Sequence, residues 1–151
     1  MRIVVQRVSE ASVTVEGKIT GKIGKGFLLL VGICDEDSEE TVKKMADKVT
    51  SLRIFTDSQD KMNLSLGQVD GSVLSISQFT LFADCHKGNR PSFSKAGSPE
   101  HAEHLYKVFN ETVRQKGYIV EEGIFGADMK VRLLNDGPVT IILDSKEMWG
   151  I

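Results

Sequence analysis

Phe27-Leu-Leu-Leu-Val-Gly-Ile-Cys34 is an uninterrupted apolar run in the first quarter of the chain. It falls far short of the ~20 residues a membrane helix needs, and its length suits a strand buried on both faces. A strand of that kind lies at the centre of a sheet, so the rest of the chain has to supply neighbours for both edges and cover for both faces. Upstream, Ile3 to Val8 and Ala11 to Glu16 read as two β-branched strands, the second placing Ala11, Val13 and Val15 on one face. Glu16-Gly17-Lys18 is a turn, Ile19 to Ile23 a short returning strand, and Gly24-Lys25-Gly26 the lead into the central run.

Downstream, Val42, Met45, Ala46, Val49 and Leu52 follow the spacing of a buried helical stripe. Asp37 or Ser38 caps that helix, and the carboxylates around it suit the positive end of the helix dipole rather than a metal. Thr56 to Asn63 is turn-like, and Asp70-Gly71 signals a hairpin delivering the chain into a further strand. Ser98-Pro99 opens a second helix with the buried stripe Ala102, Leu105, Tyr106, Phe109 and Val113, ended by Gly117. Tyr118 to Glu121 and Met129 to Leu133 are short strands. Asn135-Asp-Gly-Pro138 reads as the turn before a final strand, Val139 to Leu143, with proline at its entrance. The expected fold is α/β, a single domain over residues 1–151 with a mixed, mostly antiparallel sheet curling toward a barrel and two main helices.

A chain of 151 residues buries enough surface to need neither disulfide nor metal. With 40% hydrophobic and 26% charged residues it is ordinary for a soluble domain, and its net charge of −2 argues against coating nucleic acid by bulk electrostatics. Local basic groups remain: Lys87, Arg90 and Lys95 in one cluster, Lys130 and Arg132 in another. The opening Met1-Arg-Ile-Val-Val-Gln-Arg7 turns polar too soon for a signal peptide, and no membrane span is present, which points to the cytoplasm. In that compartment Cys34 and Cys85 are expected as reduced thiols.

The chemistry concentrates in Ser75-Ile-Ser-Gln-Phe-Thr-Leu-Phe-Ala-Asp84, read as a buried strand carrying hydroxyls and an amide. Buried polar groups without partners cost stability, so these are paired internally or offered to a ligand. Competing sites are weaker. Cys85 and His86 are adjacent and point to opposite sides of an extended segment, and His101 and His104 lack a third metal ligand. Thr80 as a nucleophile has no assigned base.

Taken together, Ser77-Gln-Phe-Thr-Leu81, Asn135-Asp-Gly-Pro-Val-Thr140 and the opening Met1 to Val8 resemble the D-aminoacyl-tRNA deacylase (D-tyrosyl-tRNA deacylase) family over essentially the whole chain. Lys87-Gly-Asn-Arg-Pro-Ser-Phe93 is similar to the family's loop. The resemblance implies a homodimeric cytoplasmic enzyme without metal or organic cofactor. It would hydrolyse the ester joining a D-amino acid to the 3′ end of tRNA, probe chirality by rejecting L-aminoacyl esters, and accept glycyl-tRNA. It implies that Ser77, Gln78, Phe79 and Thr80 floor the pocket and that Phe125 and Met129 border the terminal adenosine. It further implies that Gly137 and Pro138, joined by a cis peptide, act as chiral selector from the partner subunit, with Arg7 holding their carbonyls. Lys87 and Arg90 are the candidates for acceptor-stem phosphates. Two other readings stay open on the residues alone: a non-catalytic RNA- or nucleotide-binding module, and a hydrolase using Thr80 or Cys85 as covalent nucleophile on another ester.

Overall fold

The computed structural model describes residues 1–151. Its frame is a 14-residue strand, β1 (Arg2–Val15), followed by β2 (Lys18–Ile23) and β3 (Gly26–Gly32). The helix α1 (Glu39–Ser51), the small hairpin β4 (Phe55–Thr56) and β5 (Met62–Leu64), and β6 (Ser72–Ser77) come next. The chain closes with α2 (Pro99–Gln115), β7 (Val120–Glu122), the 15-residue β8 (Lys130–Asp144) and the short α3 (Ser145–Trp149). One edge of β1 pairs antiparallel with β3 along its first half and with β2 along its second, and the other edge pairs antiparallel with β8 from Arg2 to Thr14. Parallel pairs β3–β6 and β6–β7 extend the sheet. It curls until β2 meets β7, where a Cβ on Gly21 would lie 2.9 Å from the Glu122 carbonyl oxygen. The result is the expected mixed, mostly antiparallel, nearly closed barrel in one α/β unit.

The central run behaves as its composition dictates. Phe27, Leu28 and Leu29 are buried on both faces, feeding two cores. The larger lies between sheet and helices, where Val42, Met45, Val49, Leu105 and Phe109 meet Ile3, Val5 and Phe27, and Phe27 stacks on Phe55 at 5.1 Å. The smaller fills the barrel with Val8, Val13, Leu28, Leu74 and Ile76. Ser38 caps α1 through a reciprocal bond with Thr41, and Pro99 opens α2. Buried Asp37 accepts from the Met1 ammonium at 2.6 Å and the Cys34 N–H at 2.8 Å, tying the end of β3 to the start of β1. No helix is long and apolar enough to cross a membrane.

Four expectations are corrected. The two upstream strands are one, β1, and the two at the end are one, β8, because these long elements pair with each other throughout. Asn135-Asp-Gly-Pro138 is therefore no turn before a strand but a bulge inside one. Gln6 faces Thr140 and Val8 faces Asn135, so the single residue Arg7 stands opposite Asp136 to Val139. Asp70-Gly71 makes no hairpin. Asp70 adopts φ 53° and closes a 3₁₀ turn, Gly67–Val69, and the strand it enters runs parallel to β3, which demands a crossover that α1 provides. Finally, the strand beginning at Ser75 stops at Ser77. Beyond Gly32 the neighbouring β3 offers no further ladder, and Phe79–Phe82 turns as a 3₁₀ helix over Gly32, where a Cβ would lie 3.1 Å from Leu81 Cβ and 3.2 Å from the Phe82 ring.

Candidate active site

The break at Ser77 makes the site. β6 ends half-buried, Gln78 is anchored by its N–H to the Val31 carbonyl at 2.8 Å, and the turn then lifts Phe79 out to 55% exposure. Ser77, Gln78 and Phe79 form one side of a cavity of about 520 Å³. Phe125 to Met129, the loop between β7 and β8, form the other; Val31, Ile33 and Ile76 make the floor, and Tyr106 with the start of α2 a third wall. Phe93, arriving from the long loop before α2, meets Phe79 edge to face at 5.1 Å across the rim. The lining is mostly hydrocarbon. It holds no cysteine or histidine, and its titratable groups are Tyr106 and Asp128, the latter exposed and paired with Lys130. Burial pushes the Tyr106 phenol up, so it is a neutral donor at working pH.

Thr80 is exposed and stands outside this lining, where its hydroxyl accepts from Gln78 Nε2. Lys87 and Arg90 lie exposed on the loop between Asp84 and Ser92, which a small antiparallel bridge pinches at its base. Lys95 of the same segment pairs with Asp84 at 3.2 Å, whereas Lys87 and Arg90 have no ion-pair partner. Asp84 is held down to about 2, first by the His86 backbone N–H, then by the His86 ring and Lys95. Cys85 is exposed outside the cavity. His101 and His104 do not converge: one ring bonds the Asp37 carbonyl at 3.0 Å, the other Glu39 at 3.1 Å.

Gly137 and Pro138 are exposed on the β8 bulge, and their peptide bond is cis. Arg7, 7% exposed, lies beneath them. Its Nε donates to the Asp136 carbonyl at 3.0 Å and its Nη1 to the Ile54 carbonyl at 2.7 Å and Thr56 Oγ1 at 3.3 Å, so the carbonyls it holds are those of Asp136 and Ile54 and not the expected ones of Gly137 and Pro138. Asn135 Nδ2 donates to both Arg7 O (3.0 Å) and Val139 O (2.9 Å), replacing ladder bonds that the bulge interrupts. Gly137 has φ +123°, a conformation glycine tolerates, and a Cβ there would lie 2.6 Å from Arg7 Nη2. Neither Gly137 nor Pro138 lines the cavity of its own chain. Sequence reasoning assigned no site role to Tyr106 or to the Ile33 and Val31 floor; a tyrosine in an apolar helical stripe was the one visible signal.

Residues 4–144 match the model of the D-Tyr-tRNA(Tyr) deacylase family. A D-aminoacyl-tRNA deacylase of Exiguobacterium sp. is 58% identical over 95% of this chain and 98% of its own length. One of Anoxybacillus flavithermus is 57% identical over 97% and 100%. Among solved structures, the c-Myc DNA Unwinding Element Binding Protein superposes with a TM-score of 0.89 at 42% identity, over 95% of this chain and 98% of that one. A probable eukaryotic D-amino acid tRNA deacylase shares the fold, with a TM-score of 0.80 at 21% identity over 94% and 97%. With family and relatives matching from end to end, the chain belongs to the D-aminoacyl-tRNA deacylase family and is a hydrolase of D-aminoacyl-tRNA.

Proposed function

We propose that the cavity receives the aminoacylated 3′ end of tRNA and that two copies of the chain are needed to complete it. The observation that carries this reading is the opposition of Ser77–Phe79 and Phe125–Met129 across one apolar cavity whose size, about 520 Å³, suits a nucleoside with its amino acid. Phe125 offers a ring to the terminal adenine, a contact worth roughly 1–3 kcal/mol in single-stranded recognition. The opening N–H groups of the Phe79–Phe82 turn, those of Phe79 and Thr80, have no acceptor within the turn and are suited to an oxyanion. The lining holds no cysteine or histidine, and its one carboxylate, Asp128, is exposed and paired with Lys130, which leaves a protein nucleophile without an assigned base. The substrate's own 2′-hydroxyl therefore assists hydrolysis, and Thr80 orients rather than attacks.

Chirality is read by the Gly137–Pro138 segment of a partner copy. Met129 and Pro138 are nine residues apart, and with the bulge folded opposite Arg7 they stand seven or eight strand steps apart, roughly 25 Å. The exposed segment is thus better placed to enter a neighbour's cavity than its own. Its backbone cannot swing aside as a side chain can. It excludes the side chain of an L-amino acid, admits a D-amino acid, and lets glycine through. Lys87 and Arg90 contact acceptor-stem phosphates, in keeping with the nucleic-acid-binding name of one structural neighbour. The protein works in the cytoplasm. The test is hydrolysis of matched D-, L- and glycyl-tRNAs alongside sedimentation. Rapid D and glycyl turnover by a dimer, with loss on a 2′-deoxyadenosine end, is expected. Equal turnover of D and L esters, or a fully active monomer, overturns the reading.

A further inference from the structure

Three side chains of α2, each one turn from the next, reach the same way. Tyr106 donates to the Ser75 carbonyl at 2.6 Å, Asn110 Nδ2 to Glu122 Oε2 at 2.9 Å, and Arg114 Nη2 to the Val120 carbonyl at 2.8 Å and Glu122 Oε2 at 3.1 Å. Their i, i+4, i+8 spacing puts them on one face, and every acceptor belongs to β6 or β7. A polar seam therefore runs beside the apolar stripe of α2 and grips the parallel strand pair.

The Ser75 carbonyl is where that seam meets the cavity. It accepts Tyr106 and, at 3.4 Å, the N–H of Gly123. Two residues on from Ser75 is Ser77, one wall of the cavity; two residues on from Gly123 is Phe125, the opposite wall. The Tyr106 ring itself lines the cavity and lies 6.1 Å from that of Phe125. Nearby, Ser75 Oγ and Asn110 Oδ1 are buried without a hydrogen-bond partner. Such groups cost stability, and packing alone is better served by apolar side chains at both places. Their presence is consistent with a seam kept for geometry.

We propose that Tyr106 is a positioning residue for deacylation: through the Ser75 carbonyl, its hydroxyl fixes the separation of the Ser77–Phe79 wall from the Phe125 wall. The inference rests on the placement of the substrate between those walls. Tyr106→Phe removes one oxygen and keeps the ring. Misplacing reacting groups by about 1 Å can cost ~100-fold, so a partial slip of the walls lowers kcat by about tenfold, with a smaller rise in KM. Thr50→Val serves as the comparison. It deletes an equally buried hydroxyl bond, to the Ala46 carbonyl on α1, and changes stability without changing kcat. Assays run well below either melting transition. Backbone amide NMR shifts of residues 77–82 and 124–129 move together in Tyr106→Phe and stay in place in Thr50→Val. Wild-type kcat and KM in Tyr106→Phe, or shifts confined to α2, overturn the inference. If both sets of amides move while Phe125→Ala has wild-type kinetics, the placement of the substrate fails instead.

Discussion

Replacing Arg7 by lysine keeps the charge but removes the fork, and the geometry says what is lost. The guanidinium bonds two carbonyls that lie in different directions: Asp136 O from Nε, midway along the side chain, and Ile54 O from Nη1 at its tip. A lysine ammonium reaches the second but has no donor at the first. One hydrogen bond to a charged group, worth about 1.5–3 kcal/mol, disappears from beneath the β8 bulge. For a chain of this length each kcal/mol moves the melting point by about 2–4 °C, which puts the expected drop at roughly 3–12 °C. Asp136→Asn separates this account from a simple ion pair. The Asp136 carboxylate is 55% exposed and 3.6 Å from Arg7 Nε, so its contribution is that of a surface pair, about 0–1 kcal/mol. Thermal melts followed by circular dichroism measure both variants, and hydrolysis of an L-aminoacyl-tRNA reports whether the freed bulge still discriminates. Arg7→Lys is expected to melt earlier and to admit L esters while Asp136→Asn does neither. If Asp136→Asn is the more destabilising of the two, the carboxylate and not the carbonyl is what Arg7 holds.

Asp37→Ala strips the partner from both the Met1 ammonium and the Cys34 N–H in a buried setting, and should cost about 3–5 kcal/mol in urea unfolding; a loss below about 1 kcal/mol contradicts the pairing. Asp84 has a folded pKa of about 2, below its ordinary 3.8, so its stabilising contribution is complete above about pH 4 and fades as the pH falls through 2. A carboxyl NMR titration with its midpoint near 3.8 refutes the bonds from His86 and Lys95. Lys87→Ala and Arg90→Ala should each flatten the salt dependence of tRNA binding by about one slope unit, whereas Phe125→Ala weakens binding at unchanged slope. Identical slopes for wild type and the lysine and arginine variants remove the loop from the interface.

Elements whose evidence is local were legible in the sequence. The Phe27–Cys34 run and the stripes of α1 and α2 each announce their burial within a few residues, and Ser38 and Pro99 mark helix starts by their own chemistry. What failed depends on distant partners. Asn135-Asp-Gly-Pro138 has the composition of a turn, and only the long pairing with β1, together with the Asn135 amide bridging Arg7 and Val139, makes it the middle of a strand. Asp70-Gly71 was misread for the same reason: a hairpin and a helical stop use the same residues. Of the pocket residues named through resemblance, Ser77, Gln78, Phe79, Phe125 and Met129 line one cavity, whereas Thr80, lifted away by the 3₁₀ turn, stands outside it. Tyr106 stayed hidden because a helical stripe does not reveal that one of its hydroxyls meets a carbonyl.

β8 carries Met129 at its threshold and Gly137–Pro138 on its bulge, and the residues between are paired to β1 from Lys130 to Asn135. It therefore acts as a ruler. Inserting or deleting one residue between Val131 and Leu134 displaces everything beyond it by about 3.3 Å and exchanges inward for outward side chains. Substitutions along this stretch are expected to have graded effects, whereas a change of length shifts the register of everything beyond it. In the two-copy arrangement proposed above, the neighbour's cavity lies at one fixed distance, so activity should tolerate changes in the chemistry of this strand far better than changes in its count of residues.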